Sequence, residues 1–169
     1  MEEPPNTLRD LYFEFGRAVE MAQVMEVEAG NLALSFAALE IDKAKVTKDQ
    51  RRQFQALVAD VNKRTFGNLM RQIRKAAKVD ENIEKIVNEA LERRNHLIHH
   101  FFRYHNFAIH SEEGRAVMRA EIGTIQESLV LAHTVLSGMT KTLDEIFGVA
   151  SMAENQAQAL VEKGRKIEI

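Results

Sequence analysis

Apolar residues recur at intervals of three and four along most of the chain, the spacing that gathers one face of an α-helix. After the pair Pro4-Pro5, Leu8, Leu11, Tyr12, Phe15, Val19 and Ala22 keep that spacing and predict a first helix capped by Asn6 or Thr7. Gly30-Asn31 is a weak point, but Leu32, Phe36 and Leu39 resume the stripe, so the helix should run to about residue 43. Thr47 followed by Gln50 has the form of a capping box and predicts a second helix with Phe54, Leu57, Val58 and Val61 inward. Thr65-Phe66-Gly67-Asn68 reads as a break, followed by a short helix carrying Leu69, Ile73 and Ala76.

Asp80 should cap the next helix, in which Ile83, Val87, Ala90, Leu97 and Phe101 share a face, with an end around Tyr104-His105-Asn106. Ser111 opens the last major helix. There Met118, Ile122, Ile125, Leu129, Ala132, Leu136, Met139, Leu143 and Ile146 alternate steps of four and three without a miss, a heptad seam suited to a bundle or a coiled-coil dimer. Gly148 should end it. The expectation is a single all-α domain over residues 1–169, a bundle of four to five helices with an N-terminal tail over 1–6 and a C-terminal tail helix over 151–169.

Composition agrees with that pattern and removes several kinds of chemistry. The only prolines, Pro4 and Pro5, leave the rest of the chain free to be helical. With no cysteine in 169 residues, disulfides, thiol catalysis and Cys-ligated zinc are excluded, and a reducing cytoplasm is the expected location. The acidic start Met1-Glu2-Glu3 lacks the apolar run of a signal peptide, and no stretch reaches the ~20 apolar residues of a membrane span. The net charge of −2 hides a strong asymmetry: residues 1–47 carry −5, and residues 48–78 carry +7, from nine bases and two acids. Such a basic stripe either follows a phosphate backbone or is a solvated helix face.

Candidate chemistry is concentrated in Arg93-Arg94-Asn95-His96-Leu97-Ile98-His99-His100 and the residues just after it. Five of six histidines (His96, His99, His100, His105, His110) fall in this region, beside Arg93, Arg94 and Arg103. Imidazole moves protons near neutral pH, and guanidinium binds phosphate through a planar fork. Without a carboxylate pair, that set suits a phosphodiester better than a sugar or a peptide. On a helical wheel with Ile83 at zero, Ala90 lies near −20° and Arg94 near +20°. Arg94 therefore stands in the apolar stripe and must be met by a buried acid such as Glu14 or Glu20, a partner chain, or a bound anion. His99 lies roughly 140° away from it on the same wheel, so a bend or a second protomer is needed to join the two.

The run Arg94-Asn95-x-x-x-His99 resembles the motif of the HEPN superfamily, small all-α domains marked by an Arg, four to six residues and a His, often with Asn directly after the Arg. The resemblance covers six residues. It implies a metal-independent ribonuclease built by a homodimer, with two motifs meeting across the interface and no cofactor. By that resemblance His99 is the general base for the ribose 2′-hydroxyl, Arg94 binds the scissile phosphate and Asn95 orients the pair, leaving a 2′,3′-cyclic phosphate. His96, His100 and Arg103 are candidate phosphate contacts. Many members are toxins with an antitoxin partner, and others have become non-catalytic binding domains. Some of the toxins carry Tyr two residues after the His, where this chain has Phe101.

Two other readings rest on the same residues. His96 and His100 share a helix face with Glu92, and with a third imidazole such as His133 they form a potential divalent-metal site. Alternatively, the chain is a protein-interaction or dimerisation module without chemistry. In either case Phe101, Phe102 and Phe107 should anchor the motif helix, and His105 and His110 should be ordinary, partly exposed loop histidines.

Overall fold

The computed structural model describes residues 7–39, 47–61 and 63–147. The tail over 1–6, the approach to residue 43 and the tail helix over 151–169 lie outside them. The described chain is all-α, without a strand: α1 (Leu8–Leu39), α2 (Lys48–Val61), α3 (Phe66–Ala76), α4 (Glu81–His99), α5 (Phe101–Tyr104), a 3-10 turn (Ala108–His110) and α6 (Glu112–Phe147).

The caps form where the sequence places them. Asp10 N–H donates to Thr7 Oγ1 at 3.2 Å while Thr7 N–H donates back to Asp10 Oδ2 at 3.1 Å, closing a reciprocal box at the start of α1. The hydrogen bonds from the Thr7 hydroxyl and backbone hold the Asp10 carboxyl below its ordinary value of 3.8. Thr47 and Gln50 make the same box for α2, Asp80 accepts from Asn82 N–H at 2.9 Å, and Ser111 Oγ accepts from Gly114 N–H at 3.0 Å.

Contacts gather the helices into two compact units, one of residues through Val27 with Val79–Val135, the other of Glu28–Lys78 with residues from Leu136 onward. In the first, Leu11, Ala18, Ala22 and Met25 of α1, Val87, Ala90 and Leu97 of α4, Phe101, and Met118 through Ala132 of the α6 seam are buried. Each fully buried Leu, Ile or Met stabilises by about 1.5–3 kcal/mol. The second buries Ala29, Leu32 and Ala33 of α1, Val61 of α2, Phe66, Leu69, Met70 and Ile73 of α3, and Leu136.

α1 passes through the weak point Gly30-Asn31 without a break, as the resumed stripe predicts, whereas several other expectations are corrected. A Cβ at Gly30 would lie 3.0 Å from Val61 Cγ1, so this glycine admits a neighbouring side chain rather than ending a helix. The buried line of α1 keeps Leu11 and Ala22 as expected and adds Ala18 and Met25, leaving Leu8 and Tyr12 exposed. Val58 is exposed while Val61 is buried, and the side chains of Phe54 and Leu57 lie outside the described residues. Phe66-Gly67-Asn68, read as a break, already form the first turn of α3; the turn precedes them, at Lys63 to Thr65. The α6 seam is buried from Met118 to Leu136 and surfaces at Ile146.

Candidate functional site

The motif lies on the last two turns of α4, with His99 as the final helical residue. At His100 the backbone departs from helix (φ −129°, ψ −21°), and the one-turn α5 restarts at Phe101. That bend ends the motif helix directly after His99. Phe101 turns into the core, 5.6 Å from the Phe15 ring, and Phe102 contacts Phe15 at 4.7 Å and Tyr12 at 5.8 Å between ring centroids.

Arg94 is about one-fifth exposed, and its charge is met by an acid of α1, as its place in the apolar stripe requires. The acid is Glu26, whose Oε2 accepts from Nη2 at 3.1 Å, rather than the expected Glu14 or Glu20. Glu14 instead pairs with Arg119 of α6 and holds that guanidinium above its ordinary value. Arg94 Nη1 donates to Asn95 Oδ1 at 3.2 Å, and its buried Nε finds no acceptor among the described residues. Arg94 and Asn95 are thus brought together. His99 is not joined to either by a hydrogen bond among the described residues; its ring meets only that of His100, 6.2 Å away.

The strongest polar constellation lies on the other side of the motif and is one that the sequence reading missed. Glu121 of α6 accepts from His96 Nε2 at 2.8 Å with one carboxylate oxygen, and from His105 Nε2 at 2.6 Å with the other. An ionised carboxylate only accepts, so both rings present Nε2–H to it. His105 was expected as a partly exposed loop residue; it is 7% exposed, with Phe101 at 4.8 Å and Tyr104 at 5.0 Å between ring centroids. The available signal was weak: a lone Glu121 on the polar side of the α6 seam, twenty-five residues from His96.

The metal set proposed from His96, His100, Glu92 and His133 does not assemble. His96 is committed to Glu121, His100 is exposed, and among the described residues no group of three His, Asp or Glu is placed to hold a metal ion. Phe107, expected as an anchor, is 85% exposed, and Tyr104 is 75% exposed. His99, His100, Arg103 and His110 are exposed as well, and the side chains of the first three have no hydrogen-bond or carboxylate partner among the described residues. The surface around the bend therefore presents imidazoles, a guanidinium and two aromatic rings, while the acid in its midst is occupied.

No family model, no curated protein and no solved structure matches this chain. Among the described residues, no helix is long and apolar enough to cross a membrane.

Proposed function

We propose that this chain is a metal-independent endoribonuclease of the HEPN type, working as a homodimer. The observation that carries the reading is the division of the histidines: His96 and His105 are clamped by Glu121, while His99 and His100 stand exposed with no carboxylate partner beside an equally unpartnered Arg103. Free imidazoles next to guanidinium are the groups that phosphodiester cleavage uses. In this reading His99 takes the proton of the ribose 2′-hydroxyl, and the 2′-oxygen attacks phosphorus. The bond from phosphorus to the 5′-oxygen breaks, and the leaving oxygen takes a proton from His100 or water. Arg103 meets the phosphate oxygens directly. Arg94, held by Glu26 and Asn95, joins it only by sharing its guanidinium between Glu26 and the phosphate. The second protomer supplies a second motif, and the protein acts in the cytoplasm as the toxin of a toxin–antitoxin pair.

A second reading, a binding module without chemistry, is favoured by the Arg94–Glu26 pair, which satisfies the motif arginine within one chain. Exposed Tyr104 and Phe107 serve that reading as contact residues. The deciding experiment is RNA cleavage in excess EDTA by wild type, His99→Ala and Arg94→Lys. Cleavage by wild type that ends in 2′,3′-cyclic phosphates and is lost in His99→Ala supports the ribonuclease. Undiminished cleavage by His99→Ala removes that residue from the mechanism, and an inert wild type leaves the binding module standing. Light scattering of the wild type tests the dimer.

A further inference from the structure

Between Val61 and Val79 the chain carries six cations (Lys63, Arg64, Arg71, Arg74, Lys75, Lys78) and no acid. The fold sorts this segment by face. Phe66, Leu69, Met70 and Ile73 of α3 are buried, so the basic residues are driven to the opposite side. There Arg64, Asn68, Arg71, Gln72 and Lys75 line one shallow concavity in the second unit.

The side chains of that concavity are partly preorganised. Arg64 is held by Asp60 and donates through Nη1 to Gln72 Oε1 at 2.9 Å, and Arg71 donates through Nη1 to Asn68 Oδ1 at 3.0 Å. Arg64 is fixed by two partners and Arg71 by one, each keeps further N–H donors, and Lys75 is exposed. Arg71 and Lys75 stand one helical turn apart, about 6 Å along the axis. Three cations and two amides lining one hollow, with no apolar side chain among them, match a run of phosphates rather than a hydrophobic peptide or a lipid tail.

We propose that this face of α3 binds the phosphate backbone of single-stranded RNA, at a site separate from the motif at the end of α4. It deepens the ribonuclease reading and rests on it for the choice of RNA among polyanions. A backbone site of this kind confers affinity without sequence preference, through release of counterions. Three phosphate contacts by Arg64, Arg71 and Lys75 give a slope of log K against log salt of about −2, since each neutralised phosphate of a single strand contributes about −0.7.

The test is fluorescence anisotropy of a labelled single-stranded oligonucleotide across a salt series, on the full chain. Wild type is compared with Arg64→Gln/Arg71→Gln/Lys75→Gln, with Lys85→Gln on α4 as a control and circular dichroism to verify helicity. The triple variant is expected to lose affinity and to bring the slope about 2 closer to zero, while Lys85→Gln changes neither. A lesser triple substitution, Arg71→Gln/Lys75→Gln/Arg64→Lys, keeps the Arg64 charge and guards against misfolding. An unchanged slope in folded variants overturns the site and leaves the ribonuclease reading intact, because His99→Ala is expected to bind normally and fail only in cleavage. Equal losses against polyglutamate or anionic vesicles overturn the assignment to RNA. No binding of RNA by wild type overturns both this site and the ribonuclease.

Discussion

Replacing Glu121 by methionine removes the shared acceptor of two imidazoles without opening a large void, and the cost divides between sites of very different exposure. His105 is 7% exposed, so its Nε2–H loses a 2.6 Å bond with no water to replace it. An unsatisfied buried donor costs about 1–3 kcal/mol. His96 is about one-third exposed, and water replaces much of its 2.8 Å bond, leaving about 0.5 kcal/mol. The expected destabilisation is about 1.5–3.5 kcal/mol. Glu121→Gln keeps one acceptor oxygen, but its amide N–H2 cannot accept from the second ring, so it should cost about 1 kcal/mol.

The chain has no tryptophan, so urea unfolding is followed by far-UV circular dichroism. With m about 2 kcal/mol/M, Glu121→Met should lower the midpoint by roughly 0.8–1.8 M. The diagnostic variant is Glu121→Met/His105→Phe. It deletes donor and acceptor together and places a ring beside Phe101 and Tyr104, so it should recover all but about 1 kcal/mol of the loss. A Glu121→Met midpoint equal to that of wild type, or a double variant as unstable as the single one, would refute the claim that this carboxylate secures the bend after α4.

Other expectations follow from single contacts. Arg94→Ala removes the ion pair to Glu26, and because both groups keep about a quarter of their exposure the loss should be about 1 kcal/mol, with a coupling of similar size in a cycle with Glu26→Gln measured by urea unfolding. A Cβ at Gly114 would stand 2.0 Å from the Ala108 carbonyl oxygen, so Gly114→Ala should cost about 1–3 kcal/mol and shift the 3-10 turn, seen as a lower thermal midpoint and altered amide shifts at 108–110. The Asp10 carboxyl is depressed by its Thr7 hydrogen bonds, so its support of α1 is complete above the unfolded-state value and is lost as pH falls through the folded one. Protection of the first-turn amides, taken relative to their intrinsic exchange rates, should fall in wild type as pH drops below the ordinary Asp value but not show that step in Asp10→Asn.

The helices were legible because caps and periodicity are local. Thr7, Thr47, Asp80 and Ser111 each satisfy orphan N–H groups within three residues, and the α6 seam from Met118 to Leu136 is written at heptad spacing. What could not be read was set across the fold. The face of α1 that is buried depends on where its neighbours pack, and they cover Ala18 and Met25 but not Leu8 and Tyr12. Gly30 has the composition of a break, but the choice was made by Val61, thirty-one residues away.

The same distinction governs the motif. A helical wheel correctly puts Arg94 in the apolar stripe, and charge burial correctly demands an acid, yet Glu14, Glu20 and Glu26 all lie on α1 and only packing chooses Glu26. The wheel fails past His100, where the backbone leaves the helix and carries His105 inward to an acid on α6. The six residues Arg94 to His99 therefore do two jobs in this chain. Arg94 and His96 spend their polar groups on α1 and α6, which fixes the end of α4, and His99 is held at the bend without spending its own. A base that must accept a proton needs that arrangement, a fixed backbone and an unoccupied ring nitrogen. For that reason His99→Ala should lose cleavage without losing stability, whereas Glu121→Met should lose stability first.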